Sequence, residues 1–424
     1  MPFPRCHFRS VVYLFAVVAL TFHAVARERG PRVEVTCPKP PSPVKLADKQ
    51  ILVYELHITN FDAVPLTLTR LEVFADKDKN NPIKLISGDV LSALVARPGS
   101  AGGASDVRTI APGTRAIVFL WLEEGIDRRV PRILDHRMVF TTSAPSGEHA
   151  TASSEATLED FPVPVSTAPV PVLRAPFGGG VWLAGDLAND SAHRRSLIAI
   201  DGNVHLPERF AIDWVKVGPN GDSHHDGTDK NENWWGYGEP IYAVADGEVT
   251  LVLDGIPENT PRVLPLPTLD NIAGNFVVIR IASNRFVTFA HLKNGSVKVH
   301  PGDRARRGDV IGLLRNSGNA TGPHLHFQVT DGNSVLQSEG IPFVFDRFTD
   351  LGPGSDYEVD KHVSIPRELS IPRTMPWLKS NRPRSEIVLN EHGDAAPTPG
   401  SRFVSLFRMT TQVRIRIERD ARSP

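Results

Sequence analysis

The stretch Gly318-Asn-Ala-Thr-Gly-Pro-His-Leu-His-Phe-Gln-Val329 decides how the rest of the chain is read. From Pro323 to Val329 polar and apolar residues alternate, with aromatic and β-branched members, after a Gly/Asn/Pro turn. That pattern predicts a strand entered from a tight loop. Residues two apart on a strand share a face, so His324 and His326 project side by side. Two imidazoles so placed can share a metal ion, or one can bind it while the other handles a proton. An isolated His-x-His is more often two half-buried histidines without a chemical role, so its meaning depends on what precedes it.

Upstream, short strand-like segments recur at near-regular spacing. Arg194 to Ile200 and Val204 to Val215 flank Asp201-Gly202-Asn203, a hairpin signal. Gly238-Glu-Pro-Ile-Tyr-Ala-Val-Ala-Asp-Gly-Glu-Val249 reads as strand, turn and strand. Asn275 to Ile281, Phe286 to Leu292 and Asp309 to Leu314 complete an all-β domain expected over residues 173–348. Between these strands lie two polar loops, Gly218 to Asn233, with His224 and His225, and Gly255 to Ile272.

Residues 27–144 also read as short antiparallel strands separated by Pro, Gly, Asp and Asn. This pattern predicts a β-sandwich of immunoglobulin-like type, in which His57 is an exposed strand residue. Residues 145–172 are rich in Ser, Thr, Ala and Pro and read as an extended linker. After residue 348 repeated prolines break any period, so 349–424 reads as an irregular extension, with edge strands possible within Phe403 to Ile417.

Among the 424 residues Lys plus Arg number 47 and Asp plus Glu 48, a balance that points to neither nucleic acid nor an anionic membrane. Arg5 and Arg9, an apolar run from Val11 to Phe22 and Ala24-Val25-Ala26 predict a signal peptide over 1–26. The run is shorter than the ~20 residues a spanning helix needs. The expected location is therefore exported, periplasmic or extracellular. Of two cysteines, Cys6 leaves with that signal and Cys37 remains alone, which excludes an internal disulfide framework.

In order, Ile212-Asp213, Gly238 to Val249, Ala290-His291-Leu292, Pro301 to Gly312 and Asn316 to Phe327 resemble the lysostaphin-type, LytM-like zinc metallopeptidases of bacterial cell-wall peptidoglycan. The resemblance covers about Ala211 to Val329. It implies a LytM-like β-barrel-sandwich (duplicated hybrid motif) that cuts peptide cross-links with a metal-activated water. Carried over by position, it implies Asp213 and His326 as Zn²⁺ ligands and His291 and His324 as the catalytic pair. One carboxylate and neutral imidazoles would leave the metal Lewis-acidic with an open position.

The family's first ligand, a His four residues before the Asp, is replaced by Arg209, which has no lone pair to give a metal. The intervening family glycine is Ala211. A three-residue Asp201–Asn203 turn would set His193 opposite Ala211, one diagonal step from Asp213, as a substitute ligand; a two-residue turn would point it away. His205 lies too far along an unbent strand, and His224 and His225 fit a solvated loop. The residues leave two functions open. One is an active zinc endopeptidase, favoured by Asp213, His291, His324 and His326 together. The other is an inactive relative that binds peptidoglycan or regulates a wall hydrolase, favoured by Arg209.

Overall fold

The computed structural model describes residues 30–353, apart from 47–48, 77, 100–105, 126–128, 143–153, 220 and 264–265, together with 412–417. The expected signal peptide at 1–26 and most of the 349–424 extension lie outside the described residues.

The N-terminal part is a two-sheet antiparallel sandwich. One sheet runs Val33–Thr36, Lys49–Asn60, Arg115–Gly125, Val95–Ala96, with Val44–Leu46 also beside Lys49–Asn60. The other runs Glu155–Pro164, Ile133–Thr142, Leu66–Ala75, Lys84–Ser87, with Thr109–Ile110 beside Leu66–Ala75. Strand alternation explains the packing. Leu52, Tyr54, Leu56 and Ile58 point inward, against Leu68, Val118, Leu120 and Phe140.

Ile51, Val53, Glu55 and His57 of Lys49–Asn60 face the other way and are buried too. Ile51 and Val53 enter the core of the C-terminal domain beside Phe177, Trp214 and Phe345, and Glu55 and His57 continue that face. Ile117 and Phe119, on the neighbouring strand, meet Leu206. His57, expected at the surface, is only 5% exposed, because this face of the sandwich is an interdomain surface rather than a solvated one.

The linker expected over 145–172 also needs correction. Glu155–Pro164 is a strand paired with Ile133–Thr142, with a bulge between Leu158 and Phe161. It lies at the edge of its sheet, where the missing N–H groups of Pro162 and Pro164 break no further ladder.

Among the described residues the C-terminal domain is built on a nine-stranded sheet. It runs Arg304–Ala305, Gly247–Leu253, Asn275–Ala282, Arg285–Leu292, Leu325–Thr330, Ile212–Val217, Gly180–Gly185, Gln412–Ile417, Thr349–Pro353. The two end strands do not pair with each other, so the sheet is open and not a closed barrel, within the all-β architecture expected from sequence. Trp182, Ile212, Trp214, Val287, Phe289, Leu325 and Phe327 form its apolar face, packed with Ile241, Ile311 and Leu314. Burying side chains of this size contributes roughly 1.5–3 kcal/mol each. Alternation then sends Asp213, His326 and Gln328 to the opposite face, and the register pairs Asp213 directly with His326.

Candidate metal centre

Three neighbouring strands carry the site. Ile212–Val217 supplies Asp213, Leu325–Thr330 supplies His326, and Arg285–Leu292 supplies His291 near its end. His324 stands just before its strand and reaches the same point. Asp213 Oδ1 lies 3.0 Å from His326 Nδ1, and Asp213 Oδ2 lies 3.5 Å from both His324 Nε2 and His193 Nε2. The His291 ring is centred 4.7 Å from His324 and 5.8 Å from His326. The four side chains named from the resemblance therefore converge, and His193 joins them.

His193 arrives by a different route from the one expected. The hairpin pairs Ile198 with His205 and Ile200 with Asn203, leaving the two-residue turn Asp201-Gly202. Both turn residues have positive φ, 51° and 80°, as an Asp-Gly hairpin turn favours. His193 is therefore not on an extended strand opposite Ala211, as a three-residue turn would have required. It instead opens a single 3₁₀ turn, His193–Arg195, lying before the hairpin. His205 sits 3.8 Å from Glu339, His225 bonds Asp226, and His224 stacks on Trp234, so none of the three joins Asp213.

Arg209 lies away from the site. Its guanidinium is buried between Glu55 of the N-terminal sandwich and Glu339, with a further bond from Nη1 to the Gly340 carbonyl. Two carboxylates hold the positive charge of Arg209 away from Asp213, so it does not oppose a cation there.

Two carboxylates missed in the sequence complete the surroundings. Ligand atoms of His193, Glu208 and His326 lie within 4.8 Å of one another, as do those of Asp186, His193 and Asp213. Glu208 directly precedes Arg209, and Asp186 directly follows Gly180–Gly185, whose Gly185 pairs with Asp213. Neither has a motif spacing that would have marked it.

Gln328 is a further residue the sequence did not mark, although it lies two residues from His326 on the same face. Gln328 Nε2 donates to the Val335 carbonyl, which turns its Oε1 towards His326 Nε2 at 3.0 Å. The Nε2–H of His326 therefore has an acceptor, and Nδ1 is left to face Asp213 or a metal ion. His291 and His324 are oriented in the opposite sense. Their Nδ1–H groups donate to the carbonyls of Ser317, at 2.7 Å, and Gly322, at 2.9 Å, leaving each Nε2 with its lone pair.

His291 has φ +64°, a conformation uncommon for residues other than glycine, and its surroundings hold it there. Asn275 Nδ2 and Ser317 Oγ both donate to the Leu292 carbonyl, and the His291 N–H donates to the Ala273 carbonyl. A side chain at Gly318 would collide with the backbone of Gly274, so only glycine permits the two loops to meet behind His291.

Electrostatics separate the groups. Burial, followed by His324 and His326, holds His291 well below the ordinary imidazole value, so it is neutral near pH 7. Burial alone would lower His193, but Asp213, Asp186 and Glu208 outweigh it and raise it to about 9. For Asp213 burial is outweighed by His193, His324 and His326, and its carboxyl lies well below the usual range. His326 is raised: burial opposes the shift, and its bond to Asp213 dominates. A carboxylate ringed by imidazole nitrogens, two of them with their lone pairs turned inward, is a donor set that suits a borderline divalent ion such as zinc.

Residues 223–337 match Peptidase family M23, and the chain carries a LytM-like M23 domain. His291, His324 and His326 lie within the matched segment, whereas His193, Arg209 and Asp213 precede it. Peptidoglycan DD-endopeptidase ShyA of Vibrio cholerae is 34% identical over 92 residues, 22% of this chain and 17% of that protein. Endolysin 2638A of Staphylococcus phage 2638A is 32% identical over 111 residues, 25% of this chain and 21% of the endolysin. The matches thus span about a fifth of these relatives' own length. Among solved structures, the catalytic domain of the M23 protein EnpA from Enterococcus faecalis aligns at 18% identity and TM-score 0.21, over 42% of this chain and 92% of that one. Among the described residues no helix is long and apolar enough to cross a membrane.

Proposed function

We propose that the chain is an exported zinc metalloendopeptidase that hydrolyses peptide cross-links of bacterial peptidoglycan. The observation carrying this reading is Asp213 with His193, His324 and His326 nitrogens 3.0–3.5 Å from its carboxylate, and His291 beside them. The M23 match and the DD-endopeptidase relatives support the substrate class. His193, Asp213 and His326 would hold the ion, with Glu208 and Asp186 adding negative charge that favours a cation.

Bound there, zinc supplies Lewis acidity to the scissile carbonyl and lowers the pKa of water towards ~7. His291 Nε2, neutral and with its lone pair free, accepts the proton of the attacking water. The imidazolium so formed at His291 passes that proton on to the leaving amine, and His324, 4.7 Å away ring to ring, stabilises the developing oxyanion when its Nε2 takes up a proton from solvent. Arg209 paired with Glu55 and Glu339, and His193 beside Asp213, support the active reading over the inactive one despite the missing family histidine.

The sandwich strand order, Val33–Thr36, Lys49–Asn60, Arg115–Gly125, Val95–Ala96 against Glu155–Pro164, Ile133–Thr142, Leu66–Ala75, Lys84–Ser87, supports an immunoglobulin-like reading of the N-terminal domain. The test of function is direct. Purified protein should carry about one zinc per chain, lose wall cleavage with chelator and regain it with zinc. A His326→Ala variant that cleaves peptidoglycan at the normal rate overturns the proposal.

A further inference from the structure

His193 sits in a single 3₁₀ turn whose leading residue, Ala192, provides no side-chain cap. One such turn has little stability of its own, so its placement must be imposed from outside. Ser191 Oγ accepts from the Arg194 N–H and the Asn189 carbonyl from Arg195 Nε, and the contacts that reach outside the domain come from the N-terminal sandwich. Arg194 Nη1 bonds Glu55 Oε1, and Arg194 Nη2 bonds the Tyr54 carbonyl at 3.2 Å. Arg195 Nη2 bonds the Ala93 carbonyl at 2.7 Å, and Asn189 Nδ2 the Phe119 carbonyl at 3.0 Å. Both guanidiniums also lie over the Phe119 ring, each 5.1 Å from its centroid.

The same Glu55 carboxylate receives Arg209, four residues before Asp213. One buried carboxylate from the first domain therefore grips both segments that lead into the candidate site. Arg194 and Arg209 are 2% and 4% exposed and Glu55 is 0% exposed, so this contact is closed to water.

We propose that Glu55 is a positioning residue for His193, and that the N-terminal sandwich thereby completes the metal site of the C-terminal domain. The inference rests on the reading of His193 as a metal ligand. In place of a histidine on the strand leading to Asp213, the chain uses one from a separate turn, and the turn is set by a domain that contributes no ligand itself. Arg209, in the position of the lost histidine, becomes part of the clamp that holds its replacement.

The test uses the full chain. The double variant Glu55→Gln with Arg194→Met removes one charge of each sign and leaves Arg209 paired with Glu339. Zinc affinity is read by competition with a chromophoric chelator, ligand number by the visible spectrum of the cobalt-substituted protein, and folding by thermal unfolding of the metal-free protein. Expected is a cooperative transition, zinc binding weakened at least ~10-fold, and a cobalt spectrum like that of His193→Ala. Placed in the His193→Ala background, the double variant should weaken zinc no further, which a general loosening of the fold would not reproduce.

Arg195→Ala cuts the turn's bond to Ala93 without touching the buried charges, and should also weaken zinc. Wild-type zinc affinity in the folded double variant, or in Arg195→Ala should the double variant fail to fold, overturns the inference, as does an equal loss in the His193→Ala background. Zinc binding by His193→Ala as tight as wild type would instead remove the ligand reading itself, and a wild-type chain that binds no zinc would remove the proposed function.

Discussion

Arg209 Nη2 stands 2.9 Å from Glu55 Oε2, and neither side chain reaches solvent. This pair links the residue four before Asp213 to the middle of a strand in the other domain. Burial would raise the Glu55 carboxyl, but Arg194 and then Arg209 outweigh it and hold it at about 2. Arg209 in turn has a second carboxylate, with its Nη2 2.5 Å from Glu339. Breaking a buried pair from one side costs about 3–5 kcal/mol when the other charge is left uncompensated; here Glu55 keeps Arg194 while Glu339 loses its Arg209 bond, so that range is the upper bound. Arg209→Met should lose stability up to that bound in urea unfolding at pH 7. A loss below ~1 kcal/mol would show that the pair behaves like a surface contact.

Gln328 touches His326 only through the far ring nitrogen, at 3.0 Å. Removing such a partner typically weakens metal binding 10–100-fold while leaving the ligands in place. Gln328→Leu should show that loss in zinc competition, and Gln328→Glu, which keeps an acceptor, should show less of it. Equal zinc affinity in Gln328→Leu and wild type would mean that the strand alone orients His326.

His291 and His326 should separate in their effects. His291 gives its Nδ1–H to Ser317 and has no bond to Asp213 among those the structure shows, so His291→Ala should retain zinc. Its turnover on cross-linked peptidoglycan should fall about 10²–10⁴-fold, the usual worth of a positioned proton acceptor. Loss of zinc together with activity in His291→Ala would make it a ligand instead.

What the sequence disclosed followed short-range rules. Period-2 alternation marked the strands, and the His-x-His spacing alone was enough to put His324 and His326 together. The His193 position was not legible, because a one-residue difference in the Asp201-Gly202 turn reverses which way a strand residue points. Its actual placement depends on Glu55, 138 positions earlier than His193 in the chain, and no local pattern encodes that contact. The Pro-rich stretch misled for a related reason: proline excludes a central strand but not an edge, and edge status is a property of the whole sheet. Glu208, Asp186 and Gln328 had no spacing to announce them.

The sandwich should be acid-sensitive through its histidines. His136 lies between Tyr54 Oη, 2.7 Å from its Nε2, and the Phe161 carbonyl, 2.8 Å from its Nδ1. Burial lowers it to about 4, and lowers His57 likewise to about 4. A folded value below the unfolded ~6.5 means that the unfolded chain takes up protons the folded one refuses. The stability is therefore complete above pH ~6.5 and is lost as pH falls towards 4, at up to ~1.4 kcal/mol per pH unit for each group. Urea unfolding between pH 6.5 and 4.5 should show this slope, and His136→Gln should reduce it. An unchanged slope in that variant would place the proton uptake elsewhere.

Zinc binding should release protons in the neutral range. In the metal-free protein burial opposes protonation of His193, yet Asp213, Asp186 and Glu208 raise it to about 9, so it carries a proton at pH 7.5. A ligand nitrogen must give up that proton to bind an ion. The apparent affinity should then rise with pH, by about tenfold per unit for a single proton, and level off once pH passes the folded value near 9. Calorimetric titration in buffers of different ionisation enthalpy measures the count directly. About one proton released per zinc at pH 7.5 is the expected result for wild type, and His193→Ala should release fewer. Binding without buffer dependence would mean that His193 keeps its proton and stands beside the ion as a charge, not as a ligand.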